Sequence, residues 1–210
     1  MRCWEKPPRC GTLPAIRGHS MNKFVVLAVL LLSSVSAFAD LDGTFEKIRN
    51  QARHYRDPGA VCEEVARAEF SEKYPAPQYE VIVGIAYNLK GRTVGELDMV
   101  LMDHNTQKVA MVGEVKCYSN LKNGLTKAKQ QRKRFLTHLG SGAPLEFINT
   151  STGEKYAYDK FQYVREFISV SQKGGKAVGF DVELEHNLDE MTQLRDRIIH
   201  CQKDNLCPVP

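Results

Sequence analysis

The chain has 210 residues, with 29 Lys and Arg against 25 Asp and Glu and a formal charge of +4. Hydrophobic residues make up 42% and charged residues 26%. That composition excludes a disordered chain, a collagen, a polytopic membrane protein and a knottin-like miniprotein, and the length suits one domain with appendages.

The excess charge belongs to the first 39 residues. From Met21 the sequence reads as a secretory signal. Lys23 supplies the positive end, residues 24–32 are unbroken apolar, and Ala37-Phe38-Ala39 fits the small-x-small cleavage pattern before Asp40. The apolar run is short of the roughly 20 residues that span a bilayer. Residues 21–39 are therefore expected to be removed after Ala39 rather than kept as a tether. The remaining chain is then expected to be periplasmic or secreted, with no membrane attachment. Residues 1–20 precede the signal's own methionine and read as an overextended gene start. Residues 1–39 carry Arg2, Lys6, Arg9, Arg17 and Lys23 against Glu5 alone, so 40–210 is neutral. Only the distribution of charge can then speak about nucleic acid.

Residues 40–210 are long enough to bury a core without staples and read as one domain. Export permits disulfides among Cys62, Cys117, Cys201 and Cys207, and spacing alone leaves the three full pairings open. Cys201 and Cys207 flank a polar turn-like stretch before Pro208, which favours a local bridge. Cys62 and Cys117 fall on apolar faces and are expected to be small buried side chains. No C-x-x-C and no zinc-like Cys/His spacing occurs.

In chain order, residues 40–56 suggest a first helix through Phe45, Ile48 and Ala52. Asp57-Pro58-Gly59 then caps a second, running to Lys73, with Cys62, Val65, Ala66 and Phe70 at helical spacing. Three strand-like segments follow at 79–87, 94–102 and 108–117, separated by a turn around Gly91 and by Asp103-His104-Asn105-Thr106. Such short turns predict an antiparallel meander. A helix over 121–139 lines up Leu125, Ala128, Phe135 and Leu139. Residues 143–164 carry no clear period. Strands are expected at 167–171 and 177–184, where Val178, Phe180, Val182 and Leu184 alternate with polar positions, and a last helix at 188–203.

The chemistry lies in Gly95-Glu96-Leu97-Asp98, then fifteen residues, then Glu114-Val115-Lys116. Side chains alternate along a strand, so Glu114 and Lys116 share a face while Val115 and Cys117 take the other. The turn at 103–106 folds Asp98 back beside Glu114. Two carboxylates and an ammonium then converge. Close carboxylates repel and call for a cation, and oxygen donors of this kind suit Mg²⁺ near a phosphate. A plain cross-strand salt bridge is the competing explanation. The apolar surroundings, Val109, Met111, Val112 and Val115, argue against it, since an unpartnered carboxylate there is costly.

GELDMVL followed by VGEVKCY resembles the PD-(D/E)xK nuclease superfamily, most closely its Holliday-junction resolvase-like branches. The resemblance covers about residues 57–140. It implies an α/β fold with a restriction-endonuclease-like αβββαβ core, a mixed central sheet flanked by helices and, here, a C-terminal strand and helix extension. The proline that commonly precedes the aspartate is Leu97 in this chain. The resemblance implies that Asp98, Glu114 and the Val115 carbonyl bind Mg²⁺, with Mn²⁺ as a substitute, and that Lys116 positions or activates the attacking water. A family glutamate on the preceding helix matches Glu63 within Gly59, Glu63, Ala66 and Phe70, with Glu64 a close rival and Glu69 near the apolar stripe. A family glutamine on the following helix matches Gln131, which lies between Ala128 and Phe135 on the inward face, in preference to Gln130. Many relatives of that superfamily act as dimers, so a homodimer is open.

From Val115 to Leu145 the chain holds no acid but carries Lys116, Lys122, Lys127, Lys129, Arg132, Lys133 and Arg134. Beside E-x-K this is the footprint expected for a phosphate backbone rather than an idle solvated face. No aromatic interleaving points to a stacking platform, so backbone contacts and weak sequence preference are expected. The five histidines from His54 to His200 are isolated and read as surface or core residues. No P-loop or dinucleotide fingerprint is present. The sequence thus reads as an exported Mg²⁺-dependent nuclease whose expected substrate is DNA, with RNA left open. The alternatives are a secreted nucleic-acid- or protein-binding module with an inactive nuclease fold, and a disulfide-linked structural or inhibitor protein.

Overall fold

Asp57 begins the part of the chain that carries the site. Its side chain accepts the Gly59 N–H at 2.9 Å, Pro58 takes the first helical position, and helix α2 runs over Pro58–Lys73. The stripe Cys62, Val65, Ala66 and Phe70 is buried as its spacing predicts. The structure, a computed structural model, describes residues 36–210. The signal-like segment 21–35 and residues 1–20 lie outside the described residues. Ahead of α2, helix α1 (Ser36–Ile48) ends earlier than expected, and Ala52 is exposed in the linker. The linker leaves the helical path because Tyr55 is buried and Arg53 turns to the acids of α2.

Strands β1 (Tyr79–Leu89), β2 (Arg92–Asp103) and β3 (Lys108–Val115) form the expected antiparallel meander. Lys90 and Gly91 both have positive φ, 51° and 73°, the pattern of a two-residue type I′ hairpin. Helix α3 (Leu121–Gly140) starts where the Asn120 side chain accepts the Asn123 N–H at 3.1 Å. The element order from α2 onward is therefore α-β-β-β-α-β, closing with β4 (Leu145–Asn149). The stretch 143–164, which carries no legible period, also holds β5 (Lys155–Tyr156) and a 3₁₀ turn at Tyr158–Lys160. It is fixed by the stack of Phe147 on Phe161, with ring centroids 3.7 Å apart.

Strands β6 (Glu166–Ser171) and β7 (Val182–Glu183) complete a seven-stranded mixed sheet of order β5-β4-β1-β2-β3-β6-β7. Pairings β3–β6 and β6–β7 are parallel. The expected strand over 177–184 is corrected: Lys176–Val178 is a 3₁₀ turn, and Val182–Glu183 alone joins the sheet. Gly179 at φ 104° turns the chain, and the Asp181 carboxylate takes both the N–H and the hydroxyl of Ser169. Phe180 and Leu184 are buried without being paired in the sheet, so their alternation records burial rather than strand. Helix α4 (Leu188–Lys203) opens with a reciprocal capping box between Asn187 and Glu190.

Residues 39–210 form one compact unit, an α/β fold with helices against the sheet. One apolar cluster joins α1, α2 and α4 to Val81, Met99, Leu101, Met111 and Val115. The other joins Phe135 of α3 to Ile82, Tyr87, Val100 and Val112, and includes Phe147 and Phe161. Cys201 and Cys207 form the expected local disulfide. Cys62 and Cys117 are not separate buried thiols, as expected from the sequence, but are bonded to each other across 55 positions. Two disulfides fit an oxidising extracellular or periplasmic setting. No helix among the described residues is long and apolar enough to cross a membrane.

Candidate active site

The register of β2 against β3 sets Met99 opposite Gly113, so Asp98 and Glu114 are cross-strand neighbours. Their residues are 6% and 4% exposed. Asp98 Oδ2 accepts the Val115 N–H at 2.9 Å and is ion-paired with Lys116 Nζ. The same Nζ donates to the Val115 carbonyl at 3.1 Å and stands 3.5 Å from Glu114 Oε2. Three oxygens, from Asp98, Val115 and Glu114, thus face one ammonium. Glu114 Oε2 is buried and has no hydrogen-bond partner.

The neighbouring strand β1 carries a glycine opposite Asp98. Gly84, between the residues paired with Leu97 and Met99, has φ 70°, and a Cβ there would stand 2.8 Å from Thr150 Oγ1. Its carbonyl accepts from both the Thr150 N–H at 2.8 Å and the Thr150 hydroxyl at 3.0 Å. A side chain at 84 would push away this loop beside the acid cluster.

Helix α2 brings Glu63 to the cluster, where it ion-pairs with Arg53 and lies within the field of Asp98. Glu64 plays a different part: it is 2% exposed and held by Arg53 at 3.2 Å and by Arg67 at 2.6 Å. Glu69 accepts the Glu185 N–H at 3.1 Å. Of the three acids weighed on this helix, Glu63 is the one brought towards Asp98. The Cys62–Cys117 bond joins the positions next to Glu63 and Lys116, tying α2 to the end of the E-x-K strand.

The electrostatics follow from packing acids together out of water. Burial, and then the Asp98 charge, push Glu114 up to about 8 against the pull of Lys116. The same two causes raise Glu63 to about 7 against Arg53. Burial opposes the charge on Lys116, but Asp98 and Glu114 together outweigh it and hold the ammonium above its usual value. Glu96, two residues before Asp98, is also pushed up by desolvation and by Asp98.

Gln131 is half-buried on α3 and Gln130 exposed, as their helical positions predict. Gln131 nonetheless makes no hydrogen bond to Asp98, Glu114 or Lys116. The basic residues Lys122, Lys127, Lys129, Arg132, Lys133 and Arg134 are all exposed, and none forms a salt bridge with an acid among the described residues. Lys127 instead donates to Tyr118 Oη at 2.9 Å, and the Arg132 guanidinium lies 5.2 Å from the Phe167 ring centroid. Sequence reasoning left Arg53 and Glu96 without roles. Glu96 was legible from its two-residue offset to Asp98. Arg53 was not, because its pairing depends on how the α1–α2 linker folds back.

Among the described residues no group of three or more His, Cys, Asp or Glu side chains is disposed to hold a metal ion. The donors that converge are two carboxylates and a peptide carbonyl, centred on the lysine ammonium. Their chemistry, hard oxygen with Glu114 Oε2 buried and lacking a hydrogen bond, fits a cation such as Mg²⁺ better than zinc or copper. Comparison with protein-family models, with curated proteins and with solved structures finds no match to this chain.

Proposed function

We propose that this chain is an exported, divalent-cation-dependent nuclease of the PD-(D/E)xK type that hydrolyses phosphodiester bonds in DNA. One observation carries the reading: Asp98, Glu114 and the Val115 carbonyl turn their oxygens to a single cationic point inside a buried acid cluster. The α-β-β-β-α-β order around them and the unpaired basic face of α3 support it.

In this reading Asp98, Glu114 and the Val115 carbonyl would hold Mg²⁺, or Mn²⁺ in its place. The bound cation supplies Lewis acidity to a phosphoryl oxygen and lowers the pKa of water. Lys116, freed from Asp98, orients the attacking water by hydrogen bonding and offsets charge gathering on the phosphate. Glu63 accepts a hydrogen bond from water at the edge of the cluster, and Arg53 keeps it directed there. Gln131 takes an auxiliary place at the substrate, reached by a change of rotamer. The cations of α3 hold the backbone on either side of the scissile phosphate. Water oxygen bonds to phosphorus and gives up a proton, a phosphorus–oxygen ester bond breaks, and the leaving oxygen takes up a proton, so one water is consumed for each bond cut.

The test is cleavage of linear, circular and single-stranded DNA by the purified protein with Mg²⁺, with Mn²⁺ and with EDTA. Cation-dependent cleavage that falls by about 10³-fold in Glu114→Gln and Lys116→Met, with folding retained, is the expected result. A well-folded wild-type protein that cuts none of these substrates overturns the reading.

A second reading rests on the closed Lys116–Asp98 ion pair. If that pair is permanent, the fold is a secreted nucleic-acid-binding module without turnover. Mg²⁺-independent DNA binding with no cleavage by the wild type selects it.

A further inference from the structure

Beside Glu114 a cavity of about 110 Å³ opens between α3 and the paired strands β3 and β6. Its floor forms where these strands run parallel and place Ser169 in register with Glu114. Phe135 and Phe167 make one wall, with ring centroids 6.0 Å apart and planes tilted by 56°. Lys129 and Arg132, three residues apart on α3, line it from the helix side. Asp181 faces them. Its Oδ2 receives the Ser169 N–H and hydroxyl, each at 2.8 Å, while Oδ1 is left as a free acceptor.

We propose that this cavity is a nucleobase subsite, taking one unstacked base of the strand whose phosphate lies at the acid cluster. The inference rests on the nuclease reading and adds a recognition element to it. An aromatic wall with a guanidinium over one ring offers π surfaces that hold a planar base. The size suits a single ring system, far below the 300–1,000 Å³ or so of drug-sized pockets. Two cations without acid partners at the helix side match the phosphate attached to such a base, whereas a neutral apolar ligand would leave them unused. The polar group left free on the opposite side is an acceptor, Asp181 Oδ1. It favours bases carrying an exocyclic amino group, adenine, cytosine and guanine, over thymine, which has none. A base held in a duplex must first be unstacked to enter, so single-stranded or unpaired positions are the preferred substrates.

Calorimetric titration of the intact protein in EDTA with dAMP, dTMP, deoxyribose 5-phosphate and inorganic phosphate tests this without any cleavage. The subsite requires dAMP to bind about ten-fold more tightly than deoxyribose 5-phosphate, with dTMP weaker than dAMP. Ser169→Leu, which fills the cavity, should bring dAMP down to the level of deoxyribose 5-phosphate, while Ser169→Ala keeps most of the difference. Should Ser169→Leu fail to fold, Phe167→Leu serves instead, weakening dAMP binding by several-fold but leaving phosphate binding as it was. Equal affinity for dAMP and deoxyribose 5-phosphate overturns the subsite. Mg²⁺-dependent hydrolysis of a base-free diester, bis(4-nitrophenyl) phosphate, separates the two ideas. Hydrolysis without base-dependent binding removes the subsite alone. Base-dependent binding without cleavage of the diester or of DNA removes the nuclease reading and leaves the subsite standing.

Discussion

Two helices flank the acid cluster, and they treat charge in opposite ways. On the α2 side the ions are drawn inward and answered within the protein: Arg53 bridges Glu63 and Glu64, and Glu64 is also held by Arg67. On the α3 side six basic side chains stand in solvent with no acid partner. Helix α2 is also fastened to the E-x-K strand by a disulfide, whereas α3 is held by packing through Leu125, Ala128 and Phe135. The contrast separates charge that builds the site from charge left available to a partner. Deep ion pairs that lose one member are costly, while isolated surface cations contribute little to stability.

Cutting the fastening is the most severe test of this contrast. The Cys62–Cys117 bond closes a loop with sequence separation 55, and Cys201–Cys207 one with separation 6. Loop-closure entropy gives about 4 kcal/mol for the first and about 2 kcal/mol for the second. Replacing each pair with alanine and measuring urea midpoints should reproduce that order. The first pair should also depress cleavage beyond its effect on stability, since its two ends adjoin Glu63 and Lys116. Equal losses for the two pairs would mean that the long loop is already constrained in the unfolded chain.

Next in size is Arg53→Met. It leaves Glu63 and Glu64 without their shared cation in a partly desolvated place, with an expected loss of about 3 kcal/mol. A second change, Glu63→Gln, should recover part of that loss by removing one unanswered charge. If Arg53→Met costs no more than an exposed arginine would, the α2 network is peripheral and the contrast between the helices fails.

How far the sequence revealed these two sides depended on the range of each interaction. The meander and both flanking helices follow local periodicity, and Asp57 and Gly91 mark boundaries through side-chain or backbone chemistry that acts within a few residues, whereas the Asn120 cap emerges only in the structure. The approach of Asp98 to Glu114 was legible because a single tight turn fixes the register. The Cys62–Cys117 bond was not, since two buried-looking cysteines on separate elements carry no sign that their faces meet. Arg53 likewise gains meaning only when the linker folds onto α2. At 177–184 the alternation was genuine burial, but one left-handed glycine and the Asp181–Ser169 bonds diverted the chain from the sheet. Ser169 and Asp181 were read only as strand positions, because the cavity they line is made by a parallel pairing distant in sequence.

The titration of the cluster gives a smaller but signed effect. Glu63 and Glu114 rise from an ordinary 4.5 to about 7 and about 8. Over that window the folded protein keeps protons that the unfolded chain has released. Their contribution to stability is therefore complete below about pH 4.5 and is lost as the pH rises through 7 to 8. One such group changes the slope by at most about 1.4 kcal/mol per pH unit. Thermal melts in EDTA between pH 5 and 8 should accordingly fall less steeply for Glu114→Gln than for the wild type. Added Mg²⁺ should stabilise the wild type more at pH 8 than at pH 5, because binding favours the ionised carboxylates. A slope unchanged by Glu114→Gln would mean that Glu114 ionises in the fold as it does in water.

The α3 side should answer most weakly in stability and most clearly in salt. Lys122 and Lys133 are exposed and have no acid to lose, so Lys122→Gln with Lys133→Gln should shift unfolding by no more than about 0.5 kcal/mol. Binding to duplex DNA tells a different story if these cations serve the backbone. Each phosphate contact removed should lower the slope of log affinity against log salt by about 0.9, with equal effect across sequences. The affinity difference between wild type and variant should then shrink as salt is raised, since screening removes what the substitutions removed. The same substitutions therefore distinguish a helix whose charges are merely solvated from one whose charges await a polyanion. A salt slope equal to that of the wild type would return Lys122 and Lys133 to the first kind and confine the DNA contact to Lys129, Arg132 and the residues nearer the acid cluster.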